Sequence, residues 1–150
     1  MLQHHPVSEF MTRRVTTIGP DAELDALRQL LESGAFHHVP VIEGDRLVGM
    51  VSYTDYLRVI GAHFREGEDR EESLIKLHSL RVWDMMTADP ITLRPNDTLE
   101  KALRLFRQHS FHSLPVTDQD GHLLGLLTTT DVMKSLEGAL APEGSADLGG

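Results

Sequence analysis

Gly49-Met50-Val51-Ser52-Tyr53-Thr54-Asp55 returns 76 residues later as Gly125-Leu126-Leu127-Thr128-Thr129-Thr130-Asp131. A glycine, two apolar residues, a hydroxyl, a threonine and an aspartate keep their order in both copies, at the junction of a predicted strand and helix. Working backwards, Phe36-His37 with Pro40-Val41 recurs as Phe111-His112 with Pro115-Val116. Further upstream, Val7, Met11, Thr12, Thr17, Pro20, Leu24 and Leu30 recur 75 positions on as Val82, Met86, Thr87, Thr92, Pro95, Leu99 and Leu105. One residue inserted between Asp118 and His122 accounts for the change of offset. A repeat this long predicts two copies of one unit packed together, with sites at their seam.

The 150-residue chain can bury a core. One unit of about 55 residues is marginal alone, so a packed pair is the expected arrangement. The absence of cysteine excludes disulfides and thiolate metal sites and suits a reducing cytoplasm. No apolar run reaches the length of a membrane span, and Met1-Leu2-Gln3-His4-His5-Pro6 lacks the pattern of a secretory signal. A formal charge of −9 argues against general nucleic-acid binding, which needs a dense basic face, while leaving room for a small anion site.

Each copy reads as strand, helix, strand, strand, helix, an α+β unit. Val15-Thr16-Thr17-Ile18 and Ile91-Thr92-Leu93 are β-prone and end at Gly19-Pro20 and Arg94-Pro95. Asp21 and Asn96 or Asp97 are candidate caps for the next helices, with Asp97 and Glu100 spaced as a capping box. Leu24, Leu27, Leu30 and Leu31 make one apolar face; Leu99, Ala102, Leu103 and Phe106 make its counterpart. Strands follow at residues 38–42 and 47–52, then at 113–117 and 123–128, each pair joined by a turn, with a proline in the first strand that predicts an edge or a strand start. Asp55 and Asp131 stand where N-caps belong. The expected boundaries are residues 1–62 for the first repeat, 63–80 for a linker and helix, 81–138 for the second repeat and 139–150 for a disordered tail. Leu74, Ile75, Leu77 and Leu80 are expected to dock the linker helix after the charge run Glu66–Glu72.

The chemistry-bearing residues are few. Ser52, Thr54 and Asp55, with Thr128, Thr130 and Asp131, bring hydroxyls and a carboxylate to a helix N-terminus. Backbone N–H groups there attract anions, and an aspartate accepts from vicinal hydroxyls, a combination that suits a ribose carrying a phosphate. The plainer reading is that both aspartates only cap helices. His37 and His112 either reach toward that phosphate or are half-buried histidines with a satisfied hydrogen bond. A metal reading of His37-His38 and His109-x-x-His112 lacks assignable carboxylates and outer partners. Thr16, Thr17 and Thr92 are strand residues by propensity. Met11-Thr12 and Met86-Thr87 are expected to pack at a helix or turn end, and Trp83 to fill the core. No nucleophile-base set, general-acid pair, Walker-type loop or dinucleotide fingerprint occurs at the required spacing, so no catalytic residue is assigned and no enzyme is expected.

The ordered motifs Val-x-x-x-Met-Thr, Phe-His-x-(Val/Leu)-Pro-Val and Leu-(Val/Leu)-Gly-x-x-(Ser/Thr)-x-Thr-Asp, twice over, resemble the tandem CBS-domain pair, or Bateman module, across about residues 7–60 and 82–137. The resemblance implies two β-α-β-β-α repeats about a pseudo-twofold axis, a cytoplasmic homodimer, and clefts that take adenosine nucleotides (AMP, ADP, ATP) or S-adenosylmethionine as regulatory ligand, with no obligatory cofactor. It implies that Asp131 holds ribose hydroxyls, that Thr128, Thr130 and His112 meet phosphate, and that Thr16-Thr17 flank the base. The twin cleft would use Asp55, Ser52, Thr54 and His37 with Ile91-Thr92. His38 and Ser113 occupy a position often basic in nucleotide-sensing members, and Arg13-Arg14 face Ala88-Asp89 in the alignment of the copies, so the sites are expected to be unequal. In place of an attached effector, the module is expected to act on a protein partner or by changing its own dimer. The alternatives are a structural dimerisation module without ligand and a histidine-based metal sensor.

Overall fold

The computed structural model describes residues 1–34, 37–64, 67 and 69–140. Phe36, Glu66 and Glu68 of the charge run, and the tail from Ala141 lie outside the described residues. The helices are α1 (Leu24–Glu32), α2 (Tyr53–His63), α3 (Arg70–Ser79), α4 (Leu99–His109) and α5 (Thr129–Leu140). The strands are β1 (His38–Glu43), β2 (Arg46–Ser52), β3 (Thr87–Ala88), β4 (Ser113–Thr117) and β5 (Leu123–Thr128). One sheet has the order β1-β2-β3 and the other is the β4-β5 pair.

Two compact units result, and each contains a piece of the other sequence repeat. Unit 1 comprises residues 1–14, 91–119 and 124–150, and unit 2 comprises 15–90 and 120–123. The opening Val-x-x-x-Met-Thr segments are exchanged. Met11-Thr12 crosses the second-copy hairpin, where Thr12 N–H donates to Leu126 O at 2.8 Å and Leu126 N–H returns a bond to Thr12 O at 2.9 Å. Met86-Thr87 does the same in unit 2, with β3 antiparallel to β2 and Met50 paired with Thr87. Met11 and Met86 follow the 3-10 turns Val7–Glu9 and Val82–Asp84 and pack against the cores, as expected; the edge pairing of Thr12 and Thr87 is additional.

The glycine at the head of each signature makes the crossing possible. A Cβ on Gly125 would lie 2.8 Å from both Met11 Sδ and Thr12 O, and on Gly49 it would lie 2.5 Å from Met86 Sδ and 2.9 Å from Thr87 O. Only a residue without a side chain lets a second backbone approach so closely.

Each unit has its own core. Unit 2 buries Leu24, Leu27 and Leu31 of α1 against Val39, Val41 and Val51 of the hairpin and Tyr56 of α2. Unit 1 buries Leu99, Ala102 and Phe106 of α4 against Leu114, Val116, Leu127 and Val132. Val82 with Met85 completes the core of unit 2 and Val7 with Met11 that of unit 1, so the exchanged segments are part of the packing.

Several local expectations yield to tertiary pairing. The first strands shrink to single parallel bridges, Ile18 to Val41 and Leu93 to Val116, because the following prolines supply no donor to extend the ladder. Asp21 does not cap α1: Glu23 bridges to Arg81 and stays extended, so the helix starts later and has no side-chain cap. Likewise Thr98, bridged to Pro6, caps α4 by accepting from Lys101 N–H at 3.2 Å, while Asp97 accepts from Arg94 N–H at 2.8 Å. Trp83 is 61% exposed, because its 3-10 turn, Val82–Asp84, turns Val82 inward instead. On α3, Leu77 is buried but Leu74 and Ile75 are exposed, and on α4 Leu103 is exposed.

Tyr56 gives the core of unit 2 a pH dependence. Burial, reinforced by the charge of Glu32, raises its phenol pKa above the ordinary 10.0. A folded pKa above the unfolded one means stabilisation that is complete below pH 10.0 and lost as pH rises through the folded value. Phenolate absorbance is expected to show Tyr56 ionising late and together with loss of circular dichroism. Ionisation at the ordinary value with structure intact would contradict this, and Tyr56→Phe is expected to flatten the alkaline limb.

Candidate functional site

Both hairpins deliver the same constellation to a helix N-terminus. In unit 2 the Ser52 hydroxyl accepts from Asp55 N–H at 3.1 Å and the Asp55 carboxylate accepts from Ser52 N–H at 2.9 Å. In unit 1 Thr128 Oγ1 accepts from Asp131 N–H at 3.0 Å and Asp131 Oδ2 accepts from Thr128 N–H at 3.0 Å. These are reciprocal capping boxes. The aspartates therefore sit at N3 and the hydroxyl residues Ser52 and Thr128 are the caps, a correction to the expectation that Asp55 and Asp131 cap the helices themselves. Register explains it: the strand ends on the hydroxyl residue, and the helix begins directly after it.

The histidines join the same two places. His37 O accepts from Tyr53 N–H at 3.0 Å, and His112 O accepts from Thr129 N–H at 3.0 Å. Each histidine backbone is thus fastened to the first N–H of α2 or α5, leaving an exposed ring beside the helix start. Thr54 and Thr130, one residue before the aspartates, are exposed. The structure brings together His37, Ser52, Thr54 and Asp55 in unit 2, and His112, Thr128, Thr130 and Asp131 in unit 1. Thr16 and Thr17, half-buried, lead into the Ile18 bridge of unit 2, and Ile91 and Thr92 lead into the Leu93 bridge of unit 1.

The two carboxylates have different neighbours. Thr12 Oγ1 donates to both oxygens of Asp131, at 3.2 and 3.3 Å. Asp55 instead faces Arg58 Nη1 at 3.4 Å across one helical turn. An ionised carboxylate offers about four acceptor positions, so Asp131, bonded by one N–H and one shared hydroxyl, keeps capacity for ligand hydroxyls. Thr12 escaped the sequence reading as a site residue. Its recurrence as Thr87 was the available signal, but the crossing that brings it to Asp131 links residues 119 positions apart. Ser113 Oγ, next to His112, is buried without a hydrogen-bond partner among the described residues.

Chemically, each place combines a helix N-terminus, hydroxyl groups, an acceptor carboxylate and an imidazole. This can hold a polyhydroxylated anion. Among the described residues it offers no aligned nucleophile and base.

Comparison with known proteins follows the same line. The CBS domain family model matches residues 7–62 and 82–138. The chain is 30% identical over 150 residues to the chloroplastic CBS domain-containing protein CBSX2 of Arabidopsis thaliana, covering 87% of this chain and 63% of that protein. A crystal structure of CBSX2 in complex with AMP matches with a TM-score of 0.78 and 31% identity, over 91% of this chain and 99% of that one. A CBS domain-containing protein of Dictyostelium discoideum is 29% identical, over 91% of this chain and 94% of its own. MJ1225 of Methanocaldococcus jannaschii is 24% identical over 88% of this chain. The chain spans about half of that protein, 47% of its length. The MJ1225 structure, at 23% identity and a TM-score of 0.77, covering 89% of this chain and 48% of that one, shows the shared fold.

Proposed function

The chain belongs to the CBS-domain family, with one domain at residues 7–62 and a second at 82–138, and on that premise we propose that it is a regulatory module binding an adenosine nucleotide or related adenosyl compound. The observation that carries the reading is the duplicated capping box, in which a hydroxyl, a carboxylate and a histidine converge on a helix N-terminus. The solved complex of the relative CBSX2 with AMP supports the choice of ligand. Asp131 takes ribose hydroxyls, and Thr128, Thr130 and His112 meet phosphate; Asp55, Ser52, Thr54 and His37 are the corresponding set.

Such a module is not an enzyme. It acts on a protein partner or through its own dimer, and a ligand transmits a signal only through different affinities for two arrangements. The α2 and α5 helices support self-association: Leu57, Met133 and Leu136 are 50%, 55% and 45% exposed. Among the described residues no helix is long and apolar enough to cross a membrane. A cytoplasmic location belongs to the same reading.

Thermal unfolding with AMP, ADP, ATP, S-adenosylmethionine and NAD tests it. A true ligand at about 100 times its Kd adds about 2.7 kcal/mol. At least one adenosyl compound is expected to raise Tm by several degrees. If none does, the ligand-free dimerisation module is favoured. Stabilisation by Zn²⁺ or Ni²⁺, lost in His37→Ala or His112→Ala, would favour the metal sensor.

A further inference from the structure

Beside the His112 end of unit 1 runs a groove of 830 Å³, lined on one side by Leu103, Arg104 and Arg107 of α4 and on the other by Phe111, His112 and Thr129. Arg104 and Arg107 project into it from one face of the helix, three residues apart. Neither makes a hydrogen bond or ion pair with the described residues. A basic residue in a last helical turn offsets the helix dipole, which accounts for Arg107, but Arg104 lies further from the end. Glu100 also lines the groove, so its fixed charges are two positive and one negative. In a chain of net charge −9 this is a local cationic site.

The first repeat supplies an internal comparison. At the 75-residue offset, Arg104 and Arg107 correspond to Gln29 and Glu32, and Glu100 to Asp25. The cation on that face, Arg28, stands at the position of Leu103 and is already spent. Its Nη2 meets Asp25 Oδ1 at 2.6 Å and its Nη1 meets Glu32 Oε2 at 2.8 Å. The α1 face is thus neutralised or acidic where the α4 face is basic and unpaired.

We infer that Arg104 and Arg107, with His112, form a phosphate-binding groove in unit 1 that has no counterpart in unit 2. This deepens the nucleotide reading, on which it rests, by assigning the phosphate to the α4 arginines instead of to the strand position held by Ser113. Guanidinium groups suit the task because their planar donor fork matches phosphate oxygens. It also makes the two repeats unequal. A phosphate-bearing ligand prefers unit 1, whereas a nucleoside without phosphate gains nothing from the arginines.

Two titrations decide the matter. Pyrophosphate alone, followed by NMR of the arginine side chains, is expected to move the Arg104 and Arg107 resonances to saturation and leave Arg28 in place. Absence of movement, or equal movement of Arg28, overturns the inference. Calorimetry is expected to show AMP binding at least about tenfold more tightly than adenosine, the advantage of charge-assisted contacts. In the Arg104→Gln/Arg107→Gln variant that advantage is expected to fall to near parity, while Arg28→Gln preserves it. An undiminished advantage in the double variant overturns the inference. Saturable movement of the Arg104 and Arg107 resonances by pyrophosphate without binding of either AMP or adenosine would support the groove and remove the nucleotide reading, so the two failures are distinguishable.

Discussion

Asp131→Ala is expected to lower AMP affinity by about two orders of magnitude. An ionised acceptor contributes about 1.5–3 kcal/mol per charged hydrogen bond, and two ribose hydroxyls lost at the lower figure, about 3 kcal/mol, correspond to about two orders of magnitude. The same change removes half of the box at the start of α5, where Thr128 N–H donates to Asp131 Oδ2. Loss of such a cap costs about 1 kcal/mol of stability. Asp131→Asn separates the two effects. It keeps an acceptor for Thr128 N–H but loses the charge, so stability is expected to recover more than affinity does. Calorimetry with AMP and thermal unfolding of both variants check this. Equal AMP affinity in wild type and Asp131→Ala would mean that the carboxylate serves only the helix.

Gly125→Ala is expected to be the most damaging single substitution for the fold of unit 1. The added methyl would sit 2.8 Å from a backbone carbonyl, Thr12 O, and from Met11 Sδ. The sulfur end can rotate away, but the carbonyl is held by its bond with Leu126 N–H. Overpacking of this kind costs about 1–3 kcal/mol, and loosening the paired bonds between Thr12 and Leu126 adds about 1 kcal/mol each. A loss near 3 kcal/mol is a large part of a stability of about 5–15 kcal/mol. At this chain length it lowers Tm by roughly 6–12 °C. Gly138→Ala, in α5 with nothing within 4 Å of the new carbon, is the control and is expected to stabilise by about 0.5–1 kcal/mol. Similar melting of the Gly125→Ala and Gly138→Ala variants would contradict the role given to the crossing. The predicted Gly125→Ala effect reaches function as well, since a displaced Met11-Thr12 segment withdraws the Thr12 hydroxyl from Asp131.

What could be read in advance divides along a physical line. The hairpins and the helix faces were legible because period-two and period-3.6 patterns act over a few residues. Pro40 and Pro115 lie in strands flanked by a hairpin partner on one side and a single parallel bridge on the other, and their carbonyls accept from Ile18 N–H and Leu93 N–H. The exchanged opening segments were not legible, since the echo shows which residues recur but not which copy each one joins. Thr12 meets Leu126 and Asp131 across more than a hundred residues, and Thr87 meets Met50 of the preceding copy. The helix starts shifted for the same reason: bridges from Pro6 to Thr98 and from Glu23 to Arg81 outrank local capping preference at Asp21 and Asp97.

For the candidate site, identity was legible and environment was not. Ser52, Asp55, Thr128 and Asp131 fall together as the repeat predicts, with His37 and His112 tied to the helix starts through their carbonyls. The inequality of the copies was expected from Arg13-Arg14, His38 and Ser113. In the structure Arg13 donates to Ser8 O at 3.1 Å, and further contrasts appear: Arg58 faces Asp55, Thr12 faces Asp131, and α4 carries Arg104 and Arg107 where α1 has Gln29 and Glu32 beside a spent Arg28. Such contrasts depend on which cations are already paired, and one-dimensional spacing does not report that.

A crystal structure of the protein grown with AMP shows directly whether the nucleotide occupies this site. AMP is expected in unit 1 with its ribose hydroxyls on the Asp131 carboxylate and its phosphate turned toward His112, Arg104 and Arg107. A structure in which AMP is bound elsewhere, with Asp131 contacting only Thr128 and Thr12, would contradict this reading.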